Sequence, residues 1–207
     1  MPDDCKEVSN SKGRFLVEID MTFALKSIVA AAAFVAAGVA SAASVVVPAN
    51  TATPFNGQNL SFTGSGTLQF SADILNALDI AKVNIVGYGA ATANVQKDTD
   101  GYYVSAQAGA PITALTIDNV TGAVQAAATQ GGATQTSTGA IRNVIAAGTS
   151  LTVTDLYVDL IAKTVTGTII SPNFATPKTE VLWTIGSITG DTNVVGAGTY
   201  NTSQIGR

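Results

Sequence analysis

The chain has 207 residues, of which 46% are hydrophobic, 12% charged and 6% aromatic, with a formal net charge of −4 and no histidine. The charged fraction is about half that of an ordinary soluble domain, so Thr, Ser, Asn and Gln must solvate the surface. Without imidazole there is no Ser-His-Asp or Cys-His nucleophile set and no histidine-built zinc site. Without a basic cluster, nucleic acid is not expected as a partner.

In chain order, residues 1–20 are polar, with five acidic and three basic side chains. They read as a disordered or mis-assigned upstream segment, too poor in apolar surface to order itself. From Met21 the sequence runs "MTFALKSIVAAAAFVAAGVASAAS": one cation, Lys26, then an apolar run from Ile28 to Val39, then Ala40-Ser41-Ala42. That is the three-part pattern of a signal peptide over residues 21–42, with cleavage expected after Ala42. The run is shorter than the roughly 20 residues a spanning helix needs. The chain released, 43–207, reads as a single β-rich domain with nine acidic and six basic side chains. Cys5 is the only cysteine and lies upstream of the cut, so no disulfide is expected to staple the domain.

Residues 43–56 are an extended lead-in broken by Pro48 and Pro54. "LSFTGSGTLQF" alternates at period two, which predicts a half-buried strand, with Gly64 and Gly66 marking a bend or bulge. In "SADILNALDIA", Ser71 is an N-cap, Asp73 lies in the first turn, and Ile74, Leu75, Leu78 and Ala81 recur at helical spacing. One short helix over 72–81 follows. The rest predicts strands and turns. Gly87 and Gly89 mark a pivot, and Asp100-Gly101 a hairpin turn. "PITALTIDNVTG" is a strand, and Thr129 to Thr138 a mobile polar loop. "LTVTDLYVDLIAKTVTGTII" is a hairpin turning near Ile161–Lys163, "EVLWTIGSI" a strand, and Val194 to Tyr200 the last. The predicted class is all-β, an antiparallel β-sandwich or β-roll of eight or nine strands with one short helix.

Candidate chemistry is sparse. Asp155 and Asp159 flank Tyr157 on one strand face, roughly 13 Å apart at about 3.3 Å per residue. That is beyond the roughly 5–9.5 Å that glycosidase carboxylates need, so they read as a solvated face. Leu151 and Val153 share their parity, whereas Leu156, Val158 and Leu160 hold the other, and a bulge near Thr154 would reconcile the two. Asp98 and Asp100 in "KDTDGYY" form a fragment of a calcium loop without the downstream bidentate acid. They are the sole metal candidate, for Ca²⁺, and compete with a plain hairpin turn. "GGATQ" and "GYGAA" lack the lysine and the strand–loop–helix context of a phosphate cradle. Trp183, in parity with Val181 and Ile185, is expected in the core. Tyr88, Tyr102, Tyr103, Tyr157 and Tyr200 are the other candidate ligand contacts. No catalytic residue is proposed, and no cofactor is expected beyond Ca²⁺.

The order "LQFSADILNALDIAKVNI", then strands, then "AAGTSLTVTDLYVDLIAKTVTGTI" resembles small exported Gram-negative proteins of the PEP-sorting type. More remotely it is similar to HtaA-like bacterial surface β-domains. The likeness covers about Leu60 to Ile170 and lies in pattern rather than motif. It implies export and a β-rich surface domain. Some HtaA-like domains take haem through tyrosine with histidine, and the lack of histidine departs from that pattern. The chain stops at "NTSQIGR" without a terminal apolar segment, so no sorting anchor carries over.

These readings combine into an exported, non-enzymatic β-sandwich with a structural, matrix or adhesive role, periplasmic, secreted or at the cell surface. It would self-associate through sheet edges and leave the membrane once the signal is cut. The alternatives are a module for haem, glycan or a small hydrophobe, and a carboxylate-based hydrolase.

Overall fold

The computed structural model describes residues 17–25, 29–30, 44–139 and 147–206. Among them the chain forms β1 (Val17–Leu25), β2 (Val29–Ala30), β3 (Ser44–Pro48), β4 (Thr53–Phe55), β5 (Gln58–Leu60) and β6 (Phe62–Phe70). The helix α1 (Ala72–Ile80) follows, then β7 (Val83–Tyr88), β8 (Thr92–Lys97), β9 (Tyr103–Asp118), β10 (Val124–Thr129) and β11 (Gly132–Ser137). The last four are β12 (Ser150–Asp159), β13 (Thr164–Ile170), β14 (Lys178–Gly190) and β15 (Gly198–Gly206). The class is all-β and antiparallel, with more strands than the eight or nine expected. Three of the extra strands, β2, β4 and β5, are only two or three residues long, too short to show a period.

The large sheet closes on itself. Pairing runs from β9 through β6, β1, β15, β14, β13 and β12 to β10, and β10 pairs again with β9. The walls of the expected sandwich are therefore continuous, which removes edges along this ring. Strand β9 is long enough to serve two neighbourhoods. Its first half pairs with β6 and β8, and its second half with β3 and β10. Pro111 sits at the changeover, where a residue without N–H costs no ladder bond, and its carbonyl accepts from Gln130 N at 3.1 Å.

Two cores form. Inside the ring, Phe62, Leu115, Ile117, Val158 and Val165 are fully buried against one another. The second core lies under α1, where Leu75 and Leu78 meet Ile85, Tyr103, Ala106, Ala108 and Ala133. The helix starts as its sequence predicts, with Ser71 Oγ accepting from Ile74 N at 3.4 Å. Asp79 ties it to β9, its carboxylate accepting from Tyr103 N at 3.0 and 3.1 Å.

Four expectations need correction. The loop predicted at Thr129–Thr138 is largely β11, paired with β12 on one side and β7 on the other. Its polarity misleads because the strand satisfies hydroxyls across the ladder: Thr134 and Thr152 share a 2.7 Å hydrogen bond. The last strand is Gly198–Gly206 rather than Val194 to Tyr200, and Val194 is held by a hydrogen bond to Gly122 O. Gly64 and Gly66 mark no bulge, since β6 keeps register with β1 and β9 throughout. A Cβ on Gly66 would stand 3.5 Å from Thr129 Cγ2 and 3.6 Å from Met21 Cγ, ordinary van der Waals distances. Finally, Val17–Asp20, expected to be disordered, are part of β1, which inserts between β6 and β15. The expected cleavage site at Ala42 and most of the leader lie outside the described residues.

Candidate functional site: an apolar cavity in the ring

The strand that carries Asp155 explains how the cavity forms. The bulge expected near Thr154 is present: Thr154 pairs with Thr168 and Tyr157 with Thr166, so Asp155 and Leu156 oppose Gly167 alone. Asp155 takes the left-handed backbone at φ 53° that such an irregularity requires. The parity switch brings Val153, before the bulge, and Leu156 and Val158, after it, onto one cavity wall. Asp155 is left on the other side, accepting from Gly131 N at 2.8 Å and from Thr154 Oγ1 at 3.1 Å.

The cavity has a volume of about 100 Å³, well above the roughly 10–15 Å³ that one water needs. Its other walls are Met21 from β1, Gly66, Leu68 and Phe70 from β6, Ala108 and Ala110 from β9, Gly131 to Ala133 at β11, and Trp183 from β14. No charged side chain lines it; the polar contributors are Thr67, Thr129 and Gln135. Thr129 Oγ1 is occupied, donating to Leu156 O and accepting from Leu156 N. Trp183 is different: its Nε1 is buried and has no hydrogen-bond partner among the described residues. A buried N–H without an acceptor costs about 1–3 kcal/mol, and this one is out of reach of water.

Trp183 packs on the ring core, as its sequence context predicts, and Ile185 is buried beside it. Val181 is exposed, because a register shift at Val165–Thr166 places a bulge between it and Trp183. The tyrosines do not converge. Tyr103 is buried and donates to Val83 O at 2.6 Å. Tyr200 is buried and serves the 195–196 turn through its hydroxyl. Tyr88, Tyr102 and Tyr157 are exposed.

The acidic candidates are engaged with backbone. Asp98 Oδ1 accepts from Asp100 N at 3.0 Å and Tyr102 N at 2.8 Å, closing the β8–β9 hairpin with Gly101 at φ 88°. Asp159 Oδ1 accepts from Ile161 N and Ala162 N at the β12–β13 turn. Asp118 Oδ1 accepts from Val120 N and Thr121 N. The backbone N–H of Thr121, then that of Val120, holds its carboxyl below the ordinary value of 3.8. Among the described residues no three Asp, Glu, His or Cys side chains gather as a metal set. The sequence reading missed the small residues that leave the cavity open. Their only signal is the run "AQAGA" at Ala106–Ala110, where every side chain is small or absent on the alternate positions.

No family model, curated protein or solved structure matches this chain.

Proposed function

We propose that the chain is an exported, non-enzymatic β-sheet protein with a structural or adhesive role at the cell surface. The observation that carries this reading is the use made of its acids. Asp79, Asp98, Asp118, Asp155 and Asp159, the groups from which a carboxylate chemistry would be drawn, each accept backbone N–H bonds that hold a turn, a bulge or the helix. A carboxylate saturated in this way stabilises a local bend and is poorly placed to trade protons with a substrate. The low charge and the Thr-rich surface suit a protein whose work is done by its sheet. Expression of the full chain in an exporting host tests this: the processed product should be found outside the cytoplasm, in an assembled or surface-bound form. A product confined to the cytoplasm overturns it.

One observation favours a second activity on the same scaffold, the uptake of a small apolar group. It is the uncharged, mostly apolar lining of the cavity, to which Trp183 contributes. Trp183 is the only tryptophan, so its fluorescence reports occupancy directly. Titration with short aliphatic and aromatic ketones should shift the emission saturably, and Ala110→Leu, which fills the cavity without adding a second indole, should abolish saturation. A linear, non-saturating response sinks this reading.

A further inference from the structure

Strand β1 is antiparallel to β6 along nine residue pairs and to β15 along nine more, with no register shift on either side. It is therefore a full stave of the ring. Its last residues, Met21 to Leu25, are also the start of the leader that the export reading removes. Strand β2 repeats the overlap: Val29 and Ala30, inside the leader's apolar run, pair with Asn59 and Gln58 of β5. The described leader residues, 21–25 and 29–30, are thus all held as strands against the rest of the domain. A leader works as a free segment, because its cation, apolar run and small-residue cut site are read from outside the folded domain. The same residues cannot be a stave of the ring and a free leader at one time.

Chain order decides which use comes first. Strand β1 is made at the beginning of the chain and β15 at its end, so the second flank of β1 exists only once residues 198–206 have been made. Pairing over that separation closes a long loop, which costs entropy and proceeds more slowly than a local hairpin. The leader is therefore free while the chain is synthesised. Once β1 has docked, it is held well. Met21 is 2% exposed and its register partner Thr202 4%, so undocking would bare both, together with backbone groups along β6 and β15 that need partners. A docked precursor does not readily give its leader back.

We propose that folding and export compete for these residues. A chain whose β1 has docked keeps its leader and stays inside the cell, and only a chain exported before docking is cut after Ala42. The proposal rests on the export reading and adds what regulates it. The register offers a way to bias the competition without touching the leader. Glu18, upstream of Met21, stands opposite Gln69 of β6 on one flank and Ile205 of β15 on the other. Gln69 and Ile205 are both exposed. Charges placed at 69 and 205 lie opposite Glu18 only while β1 is docked. Like charges opposite each other across a ladder disfavour pairing, and unlike charges favour it.

The sign of the charge makes the test specific. The full 207-residue chain is expressed in an exporting host and pulse-labelled, and processing is read from the mass lost with residues 1–42. Gln69→Glu with Ile205→Glu repels Glu18 on both flanks and should raise the ratio of processed to retained chain about threefold. Gln69→Lys with Ile205→Lys attracts it and should lower that ratio by a similar factor. Adding Glu18→Lys to each pair should exchange the two outcomes, which a change in the general stability of the domain would not do. A ratio that moves the same way for both signs of charge, or not at all, overturns the competition and leaves export standing. Absence of processed product from every variant, the unsubstituted chain included, overturns the export reading and the competition with it.

Discussion

The hairpin β12–β13 and the seam β6–β1–β15 belong to one ring but are held by different means. The hairpin is local: ten and seven residues joined by a turn that Asp159 caps with two backbone hydrogen bonds, with Lys163 in the left-handed backbone at φ 55°. Val158 and Val165 face each other across it, both fully buried. The seam brings a strand from the beginning of the chain against β15 at its far end. Its central buried contact sets Met21 against a glycine and a half-satisfied glutamine. Closing a loop that long costs entropy that only many contacts can offset, whereas the hairpin forms at little such cost. The first side is thus the cheaper to form, and the second depends on contacts made across the whole chain.

The largest test of that contrast is Met21→Ala. Met21 is 2% exposed, and removing such a side chain costs about 2–5 kcal/mol. In the chain retained inside the cell with residues 1–42 attached, urea unfolding should show that loss in full. If the chain is cut after Ala42 as proposed, the same substitution should change nothing in the exported product, which would no longer contain the residue. Equal stability of the retained chain with and without Met21 would mean that β1 contributes no packing, and the contrast fails. Val158→Ala is the control on the other side. It should cost about 2 kcal/mol in both forms, and a smaller loss in one form would show that the hairpin too depends on the leader.

These two regions also divide what could be read from the sequence. The hairpin was legible because its turn, its alternation and even its parity break are local: Leu151 and Val153 on one phase and Leu156 and Val158 on the other require a bulge, and it lies at Asp155. The helix was legible for the same reason, through Ser71 and the spacing of Leu75 and Leu78. Strand β1 was not. Val17, Ile19, Met21, Phe23 and Leu25 alternate with Glu18, Asp20, Thr22 and Ala24, a strand pattern, but Met21 also opens an apolar leader, and the same residues satisfy both patterns. Strand β11 was missed because "GATQTS" carries hydroxyls that only a neighbouring strand can satisfy, and a neighbour is not visible in sequence. The cavity was missed because it is made by side chains that are not there, at Gly66, Ala108, Ala110 and Gly132.

A smaller effect separates the turn from the seam. Asp159→Ala removes the acceptor of two backbone N–H groups in the β12–β13 turn. Exposed groups of this kind contribute about 1 kcal/mol, so the urea midpoint should fall modestly. The loss caused by Met21→Ala should be the same with and without this change, since no pairing places this turn at the seam. A double variant whose loss departs clearly from the sum of the two single losses would show that the hairpin and the seam are not independent.

The smallest effect is the most diagnostic of how local joints are held. Asp118 ends β9 and caps the turn into β10, and the N–H groups of Thr121 and Val120 keep its carboxyl below 3.8 in the folded chain. A lowered folded-state value means that the ionised form is favoured by folding. Its stabilising contribution is therefore complete above the ordinary value of 3.8 and disappears as pH falls through the lower folded value. Asp118→Asn keeps an oxygen acceptor and removes the charge. The urea midpoints of the two proteins should thus differ at neutral pH and converge as the pH is taken below 3.8. A gap that stays constant over that range would mean the carboxylate charge plays no part. The β9–β10 joint would then be held, as the seam is, by ladder bonds rather than by its own turn.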